Sequence, residues 1–450
     1  AALMAGLSLA SCTAEFVGTF LLVFTVGCNV LSQNSTWGGV SIAYVLMVAI
    51  YALGGVSGAN FNPAVSVALG LAGKMEDGWK QVGIYSAVQI TAGIVAALCY
   101  RATMQGGFTL APQEDFSWWQ AGLCEMLYTF MLCFVVLNVA ASKKLGGKNQ
   151  FYGLAIGLTV LAGAYGAGAV SGGCFNPAVA IGIDTSTILS GSGWCLAYVL
   201  AEMLGAGLAF LVFGVVRPEE QDRFKVSELQ AKLACEFVGT FMLVFTVGLN
   251  VLAGSPSAAF SIAATLTAMI YAIGDVSGGH FNPAVTLAIL CSGRKKIELK
   301  EAGLYMAAQV SAGFVAGILY AITHIFFTFP LGPAGKAGWG AVAVGELLFT
   351  FVLCFVVLCI ATTRKPVAPE FVGLIIGSCV TVGGVAVGKV SGGSLNPAVS
   401  FGIATARLLG GGVFYKAFFY VLFEALGGLM AAGLLRVTFP EEYGDEGIPF

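Results

Sequence analysis

The stretch VSGGCFNPAV, residues 170–179, sets an Asn-Pro pair inside an apolar, glycine-rich run. Backbone polar groups in hydrocarbon must be satisfied internally, so proline at membrane depth is tolerated only where the freed groups line a cavity or find protein partners. Proline is also favoured at the first position of a helix, where its missing N–H is not needed. The stretch therefore reads as a re-entrant loop followed by a short helix that starts at Pro177. Nearly the same frame recurs as VSGANFNPAV, VSGGHFNPAV and VSGGSLNPAV, giving asparagines at 62, 176, 282 and 396, in steps of 114, 106 and 114. The four triplets are Asn62-Pro63-Ala64, Asn176-Pro177-Ala178, Asn282-Pro283-Ala284 and Asn396-Pro397-Ala398. One copy would be explained by helix capping in a packed bundle; four copies in register point to a repeated pore element.

The rest of the composition agrees. The chain has 450 residues, 58% hydrophobic and 10% charged, against about 25% charged in soluble domains, and its mean hydropathy is +0.89. This is a membrane protein. Its 62 glycines suit close helix packing in lipid, and a net charge of −2 offers no basic face for nucleic acid. The 12 cysteines lie mostly within apolar runs, without the spacing of a zinc site or disulfide framework. His280 and His324 have no second ligand at useful spacing, so the sequence points to no metal or cofactor. It contains no nucleophile, phosphate loop or redox motif, which argues against an enzyme. The opening AALMAG lacks a methionine and leaves the true N-terminus unplaced.

A second series runs in step with the first. Glu15, Glu125, Glu236 and Glu346 sit in related apolar contexts at spacings of 110, 111 and 110. The chain is a duplication of a duplication. About 20 apolar residues span a bilayer, and such runs fall near 14–31, 40–56, 82–100, 121–141, 151–170 and 193–216, then 233–253, 258–276, 302–322, 340–361, 370–388 and 412–435. The expected fold class is an all-α polytopic membrane protein of two tandem units, each with six transmembrane helices and two re-entrant half-helices. Residues 1–216 form the first unit, 217–232 a charged cytoplasmic linker and 233–450 the second unit. Three spans per quarter make adjacent quarters enter the membrane in opposite directions, so each unit is an inverted repeat with its site near the midplane. Most of the basic residues, including Lys74, Lys143, Arg217, Arg294 and Arg364, fall on one side if both chain ends are cytoplasmic. Asn34, in a glycosylation sequon, then faces outward.

Two half-helices from inverted quarters would meet N-terminus to N-terminus. Each brings open N–H donors and partial positive charge to the centre, and each Asn carboxamide adds an NH2 donor aimed at the pore. Such a constriction orients water or hydroxyl oxygens and repels cations. The four glutamates are read as structural, each accepting N–H bonds from an irregular loop, in preference to paired acids for proton transfer.

At these residues the sequence resembles the aquaporin, or major intrinsic protein, family: Glu in the first and fourth helix of a six-helix unit, and two Asn-Pro-Ala loops. The resemblance covers nearly the whole chain as two tandem units. It implies one pore per unit for water or small neutral solutes, and fourfold assembly of units in the bilayer. Two chains would supply the four units. It also implies a selectivity filter outside the Asn-Pro-Ala pair, at Ile42, Ala164, Gly173 and Val179 in the first unit and Ile262, Gly384, Gly393 and Val399 in the second. The family's arginine after the second Asn-Pro-Ala is replaced by Val179 and Val399, and its usual aromatic or histidine is missing. The expected filter is wide and apolar, passing solutes such as glycerol or urea. Water alone passes such a filter either poorly or well, since an apolar ring can also dewet. Asp275 and Lys389, where the first unit has Gly55 and Ala169, either charge the second pore's mouths or pair locally. Cys174 lies near the path. The alternative is a non-conducting scaffold subunit of a larger membrane assembly, its pores closed by Phe61, Phe175 or Phe281.

Overall fold

The computed structural model describes residues 6–187, 193–221 and 223–443. The expectations that touch 1–5, 188–192, 222 and 444–450 lie outside the described residues. All regular structure among the described residues is helical, and the chain divides into two compact units between Val226 and Ser227. In the first unit the helices are α1 (Leu9–Leu31), α2 (Gly38–Ser57), α3 (Pro63–Leu71), α4 (Gly78–Met104), α5 (Trp118–Val139), α6 (Tyr152–Gly166), α7 (Gly168–Ser171), α8 (Pro177–Ser186) and α9 (Cys195–Val216). In the second they are α10 (Glu228–Leu252), α11 (Ala258–Ser277), α12 (Pro283–Cys291), α13 (Leu299–Thr323), α14 (Trp339–Ala361), α15 (Pro369–Ser391), α16 (Pro397–Leu409) and α17 (Lys416–Thr438). Eleven of these are long and apolar enough to cross a membrane, which makes this a polytopic membrane protein with an internal repeat.

Each quarter has the same local grammar. The helical segment before each loop ends on the first glycine of the Ser-Gly frame, at Gly58, Gly172, Gly278 and Gly392, with φ of 87°, 88°, 93° and 95°. Only glycine takes this left-handed C-terminal position without strain. After a short loop, proline opens the half-helix as its first residue in all four cases. The half-helices then interlock across the inverted repeat: α8 packs on α4, and α3 on α9; in the second unit α16 packs on α13, and α12 on α17. Gly93 on α4 and Gly313 on α13 make this possible. A Cβ at either would overlap the carbonyl of Ala178 or Ala398, in the first turn of the half-helix.

Two expectations need correction. The run 151–170 is not one span but α6 followed by the single turn α7, interrupted at Ala167 within the sequence Gly-Ala-Gly-Ala. The unbroken α15, which holds as many glycines, occupies the matching place in the second unit, so glycine content does not account for the break. The stretch 217–232 is only partly a linker. Pro218–Glu220 forms a 3-10 turn, and α10 starts at Glu228. The Ser227 hydroxyl and the Gln230 side chain cap each other's backbone N–H groups there.

Candidate pore site

The loop before each half-helix carries three left-handed residues. In the first they are Gly58, Ala59 and Phe61, and in the second Gly172, Gly173 and Phe175; Phe281 and Leu395 hold the Phe61 position in the second unit. A non-glycine residue in this region costs roughly 1 kcal/mol or more. What holds the loop is a buried carboxylate. Glu15 accepts the Ser57 hydroxyl at 2.6 Å, the Asn60 N–H at 3.0 Å, the Phe61 N–H at 2.8 Å and the Gln89 side-chain amide at 2.8 Å. Glu236 repeats the set with Ser277, His280, Phe281 and Gln309. Glu125 accepts from the Ser171 hydroxyl and from the Cys174 and Phe175 N–H groups, and Glu346 from the N–H groups of Ser394 and Leu395. Each carboxylate thus meets donors that the irregular loop cannot satisfy internally.

The asparagines do two jobs. Their Oδ1 atoms cap the half-helices, accepting the N–H of Ala64, Ala178, Ala284 and Ala398 at 2.8–2.9 Å. Their side-chain amides cross to the opposite loop. Asn62 Nδ2 donates to the Phe175 carbonyl at 2.8 Å, and Asn176 Nδ2 to the Phe61 carbonyl at 2.9 Å. In the second unit Asn282 donates to the Leu395 carbonyl and Asn396 to the Phe281 carbonyl, both at 2.9 Å. An amide has two donors, so one per asparagine is left for the space between the half-helices.

The aromatic rings that precede the asparagines are stowed. Phe61 seats against Gly18 of α1, Phe281 against Gly239 of α10, and Phe175 against Gly163 of α6. Phe61 and Phe281 have no exposed surface.

Sequence reasoning missed Glu202 on α9 and Glu424 on α17. Both are fully buried, and each accepts the backbone N–H of the asparagine in the second loop of its unit, Asn176 at 2.8 Å or Asn396 at 3.1 Å. A signal was available. Tyr85/Gln89, Tyr198/Glu202, Tyr305/Gln309 and Tyr420/Glu424 form a third four-fold series with an internal step of four residues. The tyrosine hydroxyls donate to the carbonyls of Ser57, Ser171, Ser277 and Ser391.

In the second unit, Ile262, Gly384, Gly393 and Val399 all line one cavity of about 250 Å3, which also reaches His280, Asn282 and Asn396. Its wall is otherwise mostly apolar, with Phe329, Pro330 and Leu331 contributed by the loop after α13. In the first unit Gly173 lies beside Ala164, which faces Gly39, one turn before Ile42 on α2; Val179 is buried in the first turn of α8. Cys174 is buried, its thiol donating to the Asn176 carbonyl at 3.4 Å. Lys389 is exposed near the end of α15, and Asp275 is half-buried on α11.

The major intrinsic protein family model matches residues 5–213, 154–251 and 223–435. The chain belongs to the major intrinsic protein family. Two relatives within it each match less than half of this chain. A probable NIP-type aquaporin of Nicotiana alata is 30% identical over 46% of this chain and 78% of its own length. Aquaporin NIP1-3 of Oryza sativa subsp. japonica is 33% identical over 45% of this chain and 72% of its own. Among solved structures, the aquaglyceroporin from Plasmodium falciparum is similar at 20% identity, covering 47% of this chain and 98% of that one, with a TM-score of 0.40. Within this family fold, Val179 and Val399 are the positions directly after the second Asn-Pro-Ala of each unit.

Proposed function

We propose that each unit is a passive pore for small uncharged solutes and water, crossing between the paired half-helix N-termini. The observation that carries this reading is the second unit's cavity, which touches both pore asparagines and all four filter positions at once. Its volume of about 250 Å3 compares with about 30 Å3 for a water in the liquid, so it has room for a solute of several heavy atoms. The relatives' names as aquaporins support the water part of the proposal. The stowed rings of Phe61 and Phe281 favour an open path over a plugged scaffold.

Selectivity follows from what the walls offer. The half-helix N-termini put partial positive charge at the centre, and the free donor of each asparagine orients a passing oxygen. The filter offers Val179 or Val399 in place of a cation, with glycines beside it. It therefore selects by size and apolar fit, and it excludes cations through the half-helix fields alone. The chain ends face the cytoplasm in this reading, and two chains in the bilayer supply four pore units.

Swelling of proteoliposomes against a panel of water, glycerol, urea and larger polyols, with membrane potential recorded in parallel, tests the proposal. Swelling without current is the expected result. Current would indicate an ion channel, and neither signal a non-conducting subunit.

A further inference from the structure

The two loops of each unit are anchored differently. Each inner loop (58–62, 278–282) hangs on one glutamate and one glutamine: Gln89 or Gln309 spends its amide donors on the first-helix carboxylate and on Ser66 or Thr286. Each outer loop (172–176, 392–396) hangs on two glutamates. In the first unit three consecutive backbone N–H groups are shared out, those of Cys174 and Phe175 to Glu125 and that of Asn176 to Glu202. Consecutive residues lie 3.8 Å apart along the chain, so the two buried carboxyls stand close together. Glu202 is fully buried, and its Oε2 accepts no well-formed hydrogen bond among the described residues; Glu424 Oε2 is in the same state, with the Cys174 thiol beside the Glu202 carboxyl and the Ser394 hydroxyl beside that of Glu424. Its other oxygen, Oε1, accepts from the Asn396 N–H and the Ser400 hydroxyl.

A carboxylate in apolar surroundings with one oxygen bare, beside a second carboxylate, is strongly unfavourable. A neutral acid costs less, because the hydroxyl it carries at Oε2 is one unpaired neutral donor rather than an unpaired charge. Among the described residues no basic side chain offsets the charge: the titratable groups facing Glu202 are Glu125, Cys174 and Cys133, with Tyr198 one turn earlier on α9; those facing Glu424 are Glu346 and Cys354, with Tyr420.

We propose that Glu202 and Glu424 are the positioning residues of the outer pore asparagines, and that they do this work as uncharged acids. Each fixes the backbone of Asn176 or Asn396 through one N–H bond, and the Asn side chain fixes the opposite loop in turn. The chemistry needed at this place is a neutral acceptor of fixed reach, the same role that an amide could play. The inference rests on the pore reading for its flux consequence but not for its structural one.

The test uses the full chain in proteoliposomes with E202Q/E424Q, E202L/E424L and E202D/E424D. Two readouts are taken: amide hydrogen exchange of the segments 172–182 and 392–402, and solute flux. The glutamine variant keeps a neutral acceptor and should match the native chain within about twofold in both. The leucine variant removes the acceptor, and exchange in both segments should rise about tenfold, as expected for one lost buried hydrogen bond, with flux reduced. If the leucine variant does not fold, the aspartate variant withdraws the acceptor by one methylene and should raise exchange in the same segments. Native-like exchange in the leucine or aspartate variant overturns the positioning role. A glutamine variant that exchanges as fast as the leucine variant overturns the uncharged state. A native chain that conducts nothing would defeat the pore reading, while hydrogen exchange would still decide this inference.

Discussion

Asn62 and Asn176 lock one another's loops: each donates its side-chain amide to the carbonyl of the residue before the other, Phe175 at 2.8 Å and Phe61 at 2.9 Å. Each bond joins residues more than 110 positions apart, and the pair closes the inverted repeat at its centre. Asn62→Asp keeps the helix cap, since Asp and Asn cap equally well, but removes the cross-loop donor and faces an oxygen with an oxygen. The loss should be about 1–3 kcal/mol, seen as a lower unfolding temperature in detergent. An unchanged unfolding temperature would mean that the reciprocal bond contributes nothing.

The glycine notches under the aromatic rings set a steric prediction. A Cβ at Gly18 or Gly239 would overlap the ring of Phe61 or Phe281. Gly18→Ala and Gly239→Ala should each destabilise by about 1–3 kcal/mol through overpacking. Pairing Gly18→Ala with Phe61→Leu should recover part of the loss, because the smaller side chain vacates the notch. A double variant no better than the sum of the singles would contradict this packing.

The four loop carboxylates are expected to be essential for folding rather than for transport chemistry. Glu15 alone satisfies four donors. Glu15→Leu strands these buried groups, at about 1–3 kcal/mol for each unsatisfied one, and should abolish recovery of folded, monodisperse protein. Recovery at native yield would show that the loop finds other acceptors.

A pair of matched ion pairs ties the 3-10 turn after the last helix of each unit, Pro218–Glu220 and Pro440–Tyr443, to the rest of its unit. Glu220 accepts from Lys74 Nζ at 2.7 Å and from the Lys143 N–H at 2.5 Å; Glu442 pairs with Arg294 at 3.4 Å and accepts the Arg364 N–H at 2.7 Å. Both carboxylates are nearly inaccessible, so salt should screen them weakly. Glu220→Ala leaves Lys74 unpaired in a part-buried setting and should cost up to about 3 kcal/mol. The deficit should persist at high ionic strength; a deficit that vanishes in salt would identify an ordinary surface pair.

The sequence made the half-helix starts legible because an Asn-Pro dipeptide is a local signal: the cap, the missing N–H and the fixed φ all reside in adjacent residues. Glu15, Glu125, Glu236 and Glu346 were legible through repetition. What escaped was long-range. Glu202 is a single acid in an apolar run, and its partner Asn176 lies 26 residues earlier; the repeated step from Tyr198 marks the residue but not that meeting. The reciprocal asparagine bonds depend on two loops that meet only once both inverted halves are folded. The break at Ala167 was hidden because the run around it stays apolar. The start of α10 was signalled by Ser227 and Gln230, a capping pair obscured by the surrounding charges.

Solutes are proposed to pass an apolar filter completed by Val179 and Val399. The direct measurement is proteoliposome swelling with V179R, V399R and the double variant, compared across water, glycerol and urea. An arginine at either position adds a fixed cation and fills the space beside the glycines, so each single variant should cut glycerol and urea entry by up to half, and the double variant should nearly abolish it. Unchanged entry of every solute in the double variant would contradict the claim.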